Sequence, residues 1–397
     1  MKRSLALLSL LALAACSDQS RVPTAALPSD PIPSVSADGG YIVVLREGAN
    51  PTSVAAVAGI RPRSVYTAVL NGFAARLNDG QLNALRHNPA VAYIEPDAQA
   101  QLMWTTQSPA TWGIDRIDQK DLPLSNSFTY TANGYGVIAY VLDTGVNSKH
   151  GDIYPRASYI PNGANGDFVG DGYGSAEDCH GHGSHVAGTI GSTTYGVAKQ
   201  VLVYAGRVVN CSGGGNASMA INAMEWIMRN GKKPAVVNMS LGYGDVQSVR
   251  DAADNLVRYG FFVAAAAGNG NFAGTPQNAC LQSPAGAPSV MTVGSTRSDD
   301  YESSFSNYGR CVDILAPGSS VTSLWIGSYT ATNTISGTSM ATPHVAGVGA
   351  LYLSLYPSST PTQVTTAIKS IATANTIVLH TYSAHYATPN LFLFTKF

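Results

Sequence analysis

A serine at the start of an apolar helix is the first candidate for chemistry in this sequence. Residues 337–347 read GTSMATPHVAG, which places small residues and Ser339 ahead of a helix expected over residues 340–355. A serine hydroxyl is a good nucleophile only when a base takes its proton. The free N–H groups and partial positive charge of a first helical turn favour an oxyanion beside that serine. Pro343 suits such a turn, where an N–H has no helical partner. Taken alone, the segment is also typical of a helix packed closely against a neighbour.

Three more polar residues stand where predicted strands end or helices begin. Asp143 follows an apolar run at 137–142, His182 lies in the segment HGHGSHVAG, and Asn269 ends the run AAAAGN. Functional groups of an open parallel sheet collect at the carboxyl ends of its strands. We therefore expect these side chains to meet Ser339. Taken alone, Asp143 is also typical of a turn or a helix cap, and Asn269 of a turn.

Three histidines within six residues also raise the question of a metal site. His180 and His182 are separated by a glycine, and no acidic residue follows His185 at the spacing of helical zinc motifs. We therefore expect no zinc at this segment.

The composition excludes some classes of protein. The chain has 397 residues, of which 45% are hydrophobic and 12% charged, with a formal net charge of −1. With no basic run, nothing indicates a nucleic-acid partner. The length predicts two or three domains.

The N-terminus is typical of an export signal. Residues 1–15 have a basic start and an apolar run too short to span a bilayer. The ALA at 12–14 fits ordinary cleavage, whereas the LAAC at 13–16 is similar to a bacterial lipobox, in which Cys16 carries a lipid. We favour the lipobox, which would attach the precursor to a membrane. Residues 16–40, rich in proline and serine, predict a flexible tether.

The cysteine count is consistent with export. Once Cys16 is assigned to a lipid, an even number remains, which in an exported protein predicts disulfides. Three pairings are possible, and we favour neighbours in sequence because they close the shorter loops. The favoured pairs are Cys179–Cys211 and Cys280–Cys311.

Residues 41–104 predict a small domain. Strand-like and helical segments alternate in it, which is typical of a compact α+β unit of ferredoxin type. About sixty residues are marginal for independent stability, so we expect this unit to need a partner surface. The strand-like runs lie at 41–45, 73–77 and 91–94, and the helical segments at 52–59 and 79–87.

Residues 105–397 predict an α/β domain. Their apolar runs are nearly continuous, as in strands buried on both faces, which indicates a mostly parallel sheet flanked by helices. The runs lie at 137–142, 202–205, 235–239 and 261–265, and helices are expected at 186–191, 217–230, 247–259 and 340–355.

Three motifs together resemble the subtilisin-like serine proteases. They are DTG at 143–145, HGSHVAG at 182–188 and GTSMA at 337–341, in the Asp–His–Ser order of that family. The segments around Cys179, Cys211 and Cys311, the last reading SFSNYGRCVD, resemble the proteinase K branch and, within it, aqualysin-type enzymes. The resemblance covers residues 41–397 if the first domain is the family's inhibitor-like propeptide.

The resemblance implies a role for each candidate. Ser339 would attack the peptide carbonyl, and His182 would take its proton and return it to the leaving amine. Asp143 would orient the imidazole, and Asn269 would stabilise the oxyanion. Polypeptide substrates would pair with one extended segment and place the residue before the cut bond in an apolar pocket. The segment is Ser240, Leu241 and Gly242, and the pocket is lined by Ala266, Ala267 and Gly268.

The resemblance also implies structural Ca²⁺, which prefers oxygen ligands. The implied ligands of one ion are the backbone oxygens of Pro288 and Val290 and the Asp313 carboxylate. A second site would use Asp115, Asp118 and Asn126, because carboxylates at i and i+3 face one side of a helical turn. This acidic pair is equally typical of a solvated acidic face.

A precursor follows from the same resemblance. The propeptide would template folding and occupy the active site until it is cut near Thr105, and we expect the mature enzyme to be a secreted monomer. The alternatives are that residues 41–101 form a permanent accessory domain, that the protein is a serine esterase or a metal-dependent hydrolase, or that it is a catalytically silent binding module.

Two residues depart from the family pattern. Ser184 replaces the usual threonine after the catalytic His-Gly, and keeps the hydroxyl. Tyr243 follows Gly242 where the family commonly has another glycine. Its phenol would narrow or cap the specificity pocket, or point to solvent.

Overall fold

The computed structural model describes residues 40–97, 105–271 and 273–397. By its internal contacts the chain divides into two compact units, Met1–Leu102 and Met103–Phe397. The predicted export signal, the tether and Cys16 lie outside the described residues. No helix in the described part of the chain has both the length and the apolar character needed to cross a membrane.

The first unit is a four-stranded antiparallel sheet with two helices. Its elements are β1 (Gly40–Leu45), α1 (Pro51–Val57), β2 (Ser64–Tyr66), β3 (Gly72–Arg76), α2 (Asp79–Arg86) and β4 (Val91–Pro96). The strands stand in the order β2-β3-β1-β4. This order and the alternation of strands and helices are those of the ferredoxin-like fold, so that prediction is confirmed.

One core holds the first unit together. Val43 of β1, Phe73 of β3 and Leu85 of α2 are fully buried in it. The start of α2 is specified locally: Asn78 accepts a hydrogen bond from the Gln81 N–H, while the Gln81 side chain accepts one from the Asn78 N–H. The hydrogen bonds at its start form α2 locally, and the burial of Leu85 packs it against the sheet.

The second unit consists of a large sheet, two small two-stranded sheets and helices. Its strands are β5 (Thr105–Gln107), β6 (Phe128–Tyr130), β7 (Ile138–Asp143), β8 (Ala157–Tyr159), β9 (Leu202–Arg207), β10 (Ala235–Met239), β11 (Phe262–Ala266), β12 (Met291–Thr296), β13 (Ile314–Pro317), β14 (Val321–Leu324), β15 (Thr332–Ile335), β16 (Thr373–Ala374) and β17 (Leu391–Phe392). Its helices are α3 (Trp112–Ile117), α4 (His182–Gly191), α5 (Ala217–Asn230), α6 (Gln247–Arg258), the 3₁₀ turn Ala279–Leu281, α7 (Thr338–Leu355), α8 (Pro361–Ile371) and α9 (Thr381–His385).

The large sheet is parallel except at one edge. Its order is β16-β17-β13-β12-β11-β10-β7-β9-β8, and only the β16–β17 pair is antiparallel. Ala139 and Val141 of β7 face one core, with α4 and α7. Tyr140 and Leu142 face the other, with α5 and α6. The sheet is covered on both faces, as the apolar runs predicted.

Several predicted boundaries shift. Helix α4 begins at His182 rather than at 186, and α7 begins at Thr338 rather than at 340. Strand β12 was not predicted, because its sequence MTVGST has few apolar residues, although all of it is buried. Its hydroxyls find partners in the interior: Thr292 donates to the Ala285 carbonyl, and Ser295 pairs with Ser303.

Candidate active site

Asp143 and His182 are joined directly. Asp143 is the last residue of β7 and is almost completely buried. Its Oδ1 lies 2.7 Å from Nδ1 of His182, the first residue of α4, and accepts a second hydrogen bond from the Thr144 N–H at 2.8 Å. Because a carboxylate only accepts hydrogen bonds, Nδ1 carries the proton and Nε2 is left as the basic nitrogen of the neutral ring.

The surroundings of His182 favour its protonated form. Burial lowers the pKa of the imidazole, but the charge of Asp143, the hydrogen bond to it and the charge of Asp178 together raise the pKa above 6.5. The ring is therefore well suited to hold a proton that it has taken from a nearby group.

The loop before α4 is organised by Asp178, to which sequence reasoning assigned no role. Its Oδ1 accepts hydrogen bonds from the Thr144 hydroxyl and from the N–H groups of His180 and Gly181. Its Oδ2 accepts from the N–H and the hydroxyl of Ser184. The hydroxyl that Ser184 shares with threonine is thus used here. The segment of Asp178 and Cys179 contributed to the resemblance, but an acidic residue four positions before a helix is a weak signal in a single sequence, which is why this structural role of Asp178 was not predicted.

Glycine is required directly before His182. Gly181 has φ of +107°, and a Cβ there would stand 2.4 Å from the indole ring of Trp325. As the residue before the helix, Gly181 has no side chain to cap it, so Asp178 supplies the hydrogen-bond acceptors instead.

Ser339 is held by two hydrogen bonds with Ser240, one of which replaces a helical hydrogen bond that Pro343 cannot make. Pro343 is the sixth residue of α7, so the prediction that it lies in the first turn of the helix was wrong. A residue there would normally donate to the Ser339 carbonyl, which the proline cannot do. The Ser240 hydroxyl donates to this carbonyl at 2.8 Å, and the Ser339 hydroxyl donates to the Ser240 carbonyl at 3.1 Å. In this structure the Ser339 hydroxyl therefore donates its hydrogen bond to the Ser240 carbonyl and not to His182.

Asn269 Nδ2 and the Ser339 nitrogen, the two predicted oxyanion donors, both lie beside Gly337. The Asn269 Oδ1 accepts from the N–H and the hydroxyl of Thr338, both at 2.8 Å, which fixes the orientation of the amide. A Cβ atom on Gly337 would stand 3.3 Å from Asn269 Nδ2 and 3.6 Å from the Ser339 nitrogen. An oxyanion formed beside Ser339 would have both donors near it.

A cavity of 460 Å³ lies beside these groups. Asp143, His182 and Ser240 line it, together with Gly213–Gly215. Ser240 also contacts Ser339, so the predicted Asp–His pair and the predicted nucleophile lie around one site. This site is at the carboxyl ends of β7 and β10 and at the starts of α4 and α7, where an open parallel sheet gathers functional groups.

The predicted pocket residues lie at the end of β11 and directly after it. Ala266 and Ala267 are buried, and Gly268 donates from its N–H to the Thr338 hydroxyl. Leu241 is half-buried and Gly242 exposed, directly after β10. The part these residues play in binding substrate stays a prediction.

The third histidine of the cluster has a structural environment. His185 is buried, its Nε2 lies 3.0 Å from the Val321 carbonyl oxygen, and burial lowers its pKa to about 4. It therefore stays neutral and packed inside the fold at neutral pH.

The first predicted calcium set does not fit an ion as it stands. The Asp313 Oδ2 accepts from the Thr292 N–H at 2.9 Å, and Oδ1 lies 3.0 Å from Lys369 Nζ. A calcium ion on this carboxylate would meet a positive ammonium. Ca²⁺ could bind to Asp313, Pro288 and Val290 only if the Lys369 ammonium moved away from the Asp313 carboxylate.

The second predicted calcium set is chemically better suited. Asp115 and Asp118 are 1% and 4% exposed, so the alternative of a solvated acidic face is wrong. Asp115 accepts hydrogen bonds from Ser125 and from the Asn126 N–H, and Asp118 accepts one from the Thr129 N–H. Burial raises the pKa of Asp118, an effect that a bound cation would oppose. In the described part of the chain no three His, Cys, Asp or Glu residues are grouped for a metal, so an ion here would need backbone or water oxygens as well.

Both favoured disulfides are present. Cys179 is bonded to Cys211, and Cys280 to Cys311. The first joins the loop before His182 to the segment that follows β9.

Comparison with known proteins agrees with this geometry. Residues 134–385 match the subtilase family and residues 40–103 match peptidase inhibitor I9. An extracellular serine proteinase of Thermus sp. (strain Rt41A) is 46% identical, with 98% of each chain covered. Alkaline serine protease ver112 of Corniculantispora psalliotae is 44% identical over 80% of this chain and 81% of its own. The crystal structure of a cold adapted subtilisin-like serine proteinase is 45% identical and covers 73% of this chain and 100% of its own, with a TM-score of 0.67.

With a family match over most of its length and relatives of this similarity, the chain belongs to the subtilase family of serine endopeptidases and carries an inhibitor I9 propeptide domain before its peptidase domain.

Proposed function

We propose that this subtilase cuts polypeptides through the triad Asp143, His182 and Ser339, with Asn269 as oxyanion donor. The observation that carries the proposal is the 2.7 Å contact between His182 Nδ1 and the buried Asp143 Oδ1. It orients the imidazole, assigns the basic lone pair to Nε2 and raises the pKa of the ring.

The first half of the reaction forms an acyl-enzyme. The Ser339 hydroxyl turns from the Ser240 carbonyl towards His182 Nε2 and gives up its proton as Oγ bonds to the substrate carbonyl carbon. The carbonyl oxygen becomes an oxyanion that accepts hydrogen bonds from Asn269 Nδ2 and the Ser339 N–H. The C–N bond then breaks, and the leaving amine takes the proton from His182.

The second half releases the acid. Water gives a proton to His182 while its oxygen attacks the acyl carbon, and the same two donors stabilise the second oxyanion. Collapse of this intermediate returns the proton to Ser339 Oγ. The carboxylate of Asp143 keeps the imidazole in one orientation throughout.

Substrate would bind as an added strand. We propose that an extended peptide pairs with Ser240, Leu241 and Gly242, and that Ala266, Ala267 and Gly268 form the pocket for the residue before the cut bond. The contact between Ser240 and Ser339 supports this arrangement, because it places the start of that segment beside the nucleophile.

We further propose that the chain is made as an exported precursor that matures by its own activity. The cut near Thr105 would separate the I9 domain from a secreted, monomeric enzyme, and would release it from a lipid if Cys16 is modified. A Ca²⁺ ion at Asp115, Asp118 and Asn126 would stabilise the peptidase domain.

The variant Ser339→Ala tests the proposal. We expect intact mass and N-terminal sequencing to show an uncut precursor without peptidase activity. Ser354→Ala, on the same helix, is the matched control and should mature normally. Normal processing of purified Ser339→Ala would contradict self-maturation through this serine.

A further inference from the structure

Asn238 is a polar residue inside a strand that is otherwise apolar. It is the fourth residue of β10, is fully buried and faces the same side of the sheet as Val236, because side chains alternate along a strand. That side is covered by α7: a Cβ atom on Gly349 of this helix would stand 3.5 Å from Val236 Cγ1. A buried amide costs free energy unless it is hydrogen-bonded, so its partners indicate what it does there.

The amide of Asn238 is bonded to Ser240. Its Nδ2 donates to Ser240 Oγ at 3.0 Å, while its Oδ1 has no hydrogen-bond partner in the described part of the chain. The Ser240 hydroxyl has a single hydrogen, which it donates to the Ser339 carbonyl at 2.8 Å. That carbonyl only accepts, and Pro343 has no N–H to offer it. Asn238 therefore occupies a lone pair of the Ser240 hydroxyl and leaves its hydrogen for Ser339.

The two hydrogen bonds between Ser240 and Ser339 would fare differently in the proposed reaction. The Ser339 hydroxyl must leave the Ser240 carbonyl before it can give its proton to His182. The bond from the Ser240 hydroxyl to the Ser339 carbonyl does not involve the attacking Oγ, so it can remain. Of the two bonds, this one alone then ties Ser339 to the segment after β10, at the moment when the rate depends on where Oγ stands.

We propose that Asn238 is a positioning residue: it orients the Ser240 hydroxyl, which holds the backbone of Ser339 in place while Oγ turns to His182. The inference rests on the proposed role of Ser339 as nucleophile. Because Asn238 has no exposed surface, it does not meet the substrate. Its loss should therefore lower kcat and leave KM unchanged, as for an interaction that acts only in the transition state.

The test is Asn238→Val, which keeps a branched side chain suited to a strand and removes the amide. Intact mass identifies the mature enzyme, and complete reaction with phenylmethylsulfonyl fluoride counts its active sites. With a peptide substrate, kcat per active site should fall by roughly 3- to 10-fold, the usual effect of one neutral hydrogen bond, at unchanged KM. The rate at which the sulfonyl fluoride reacts should fall by a similar factor, because the same Oγ attacks it.

A double-mutant cycle shows whether Asn238 acts through Ser240. Ser240→Ala should lower kcat by at least the same factor, and adding Asn238→Val to it should lower kcat no further. Val236→Ala, on the same face of the strand, is the matched control. It removes buried apolar atoms and should lower the thermal unfolding midpoint, while kcat per active site stays as in the parent.

Each outcome decides a separate question. An unchanged kcat in Asn238→Val, or the same loss again in the Ser240→Ala background, would overturn the inference. A loss confined to the number of active sites would also overturn it, since that is what a merely structural residue would cause. If the parent neither reacts with the sulfonyl fluoride nor cleaves the substrate, it is the proposed function that fails. Should Asn238→Val not fold, Asn238→Ala replaces it, and an unchanged kcat in Ser240→Ala would overturn the inference by itself.

Discussion

The two units of this chain differ in how much apolar surface they bury. The small unit covers a single sheet with α1 and α2 and has one core, and its edge strands β2 and β4 are largely exposed. The peptidase unit buries both faces of its sheet, and every residue of β7 and β10 is buried. Stabilisation follows the apolar area removed from water, so we expect a large free energy of unfolding for the peptidase unit and a small one for the first unit.

This difference is suited to the two parts of a precursor. A unit close to its stability threshold can be lost once it has been cut off, whereas the enzyme must keep its fold while it cuts other chains. The active site also lies at strand ends, outside the two cores of the peptidase unit, so its chemistry can be removed without loss of the fold. The following predictions test these statements.

The largest effect is expected for Asp143→Asn. Loss of the charge that orients His182 should lower kcat by about 10⁴, as for the equivalent change in another serine protease. The thermal unfolding midpoint should change little. The parent should lose activity as the pH falls through a value above 6.5, because the pKa of His182 is raised, and this limb should move to lower pH in the variant. Asp251→Asn, at an exposed site on α6, is the control. A loss of fold with activity would contradict the separation of site and core.

The second-largest effect compares the core of the first unit with that of the peptidase unit. Phe73→Ala in β3 and Phe262→Ala in β11 each remove a buried ring, at a cost of about 3–5 kcal/mol. That equals the whole stability expected of a unit as small as the first one. In the uncut Ser339→Ala precursor, hydrogen exchange should show β1 and β3 unprotected in Phe73→Ala, while β7 and β10 remain protected in Phe262→Ala. Equal loss of protection in both would mean that the two units are equally marginal.

A smaller effect concerns a buried lysine of the peptidase unit. Lys199 donates to the Thr193 and Gly196 carbonyls, and burial lowers its pKa to about 8 from 10.5. Between these values the unfolded chain binds more protons than the folded one, so the free energy of unfolding rises with pH over about 8 to 10.5. Lys199→Met in the Ser339→Ala background should remove this rise in urea unfolding of the peptidase unit, and the exposed control Lys149→Met should retain it. The same slope in both variants would exclude Lys199 as its source.

The smallest effect separates the two calcium predictions. Lys369→Gln removes the ammonium from Asp313, so titration with Ca²⁺ should show an additional weak site and a small gain in thermal stability that the parent lacks. Asp118→Asn should instead weaken the stabilisation that Ca²⁺ gives the parent. If the parent already binds an ion that is lost in Asp313→Asn, then Lys369 does not prevent binding.

Much of the architecture was accessible from local patterns. The limits of α5 and β10 were predicted to the residue, because a 3.6-residue apolar repeat and a continuous apolar run are strong signals. Strand β12 was missed, since polar residues in the interior resemble loops until their partners are known. Strand β13 was missed because its apolar run ILAP is only four residues long and ends in proline. The short edge strand β2 carries too few residues for any pattern.

The candidate active site also has features that local patterns predicted and features that they did not. Motifs and chain order were enough to select Asp143, His182, Asn269 and Ser339, because each stands at a strand end or a helix start and such ends meet at one edge of a parallel sheet. The pairing of Ser240 with Ser339, the ring of donors around Asp178 and the approach of Lys369 to Asp313 depend on contacts between residues far apart in the chain. Sequence alone determined which residue types are present and at which element ends they stand. Only the tertiary structure decided which donor meets which acceptor, because hydrogen bonds are settled over distances of a few ångströms that no local pattern encodes.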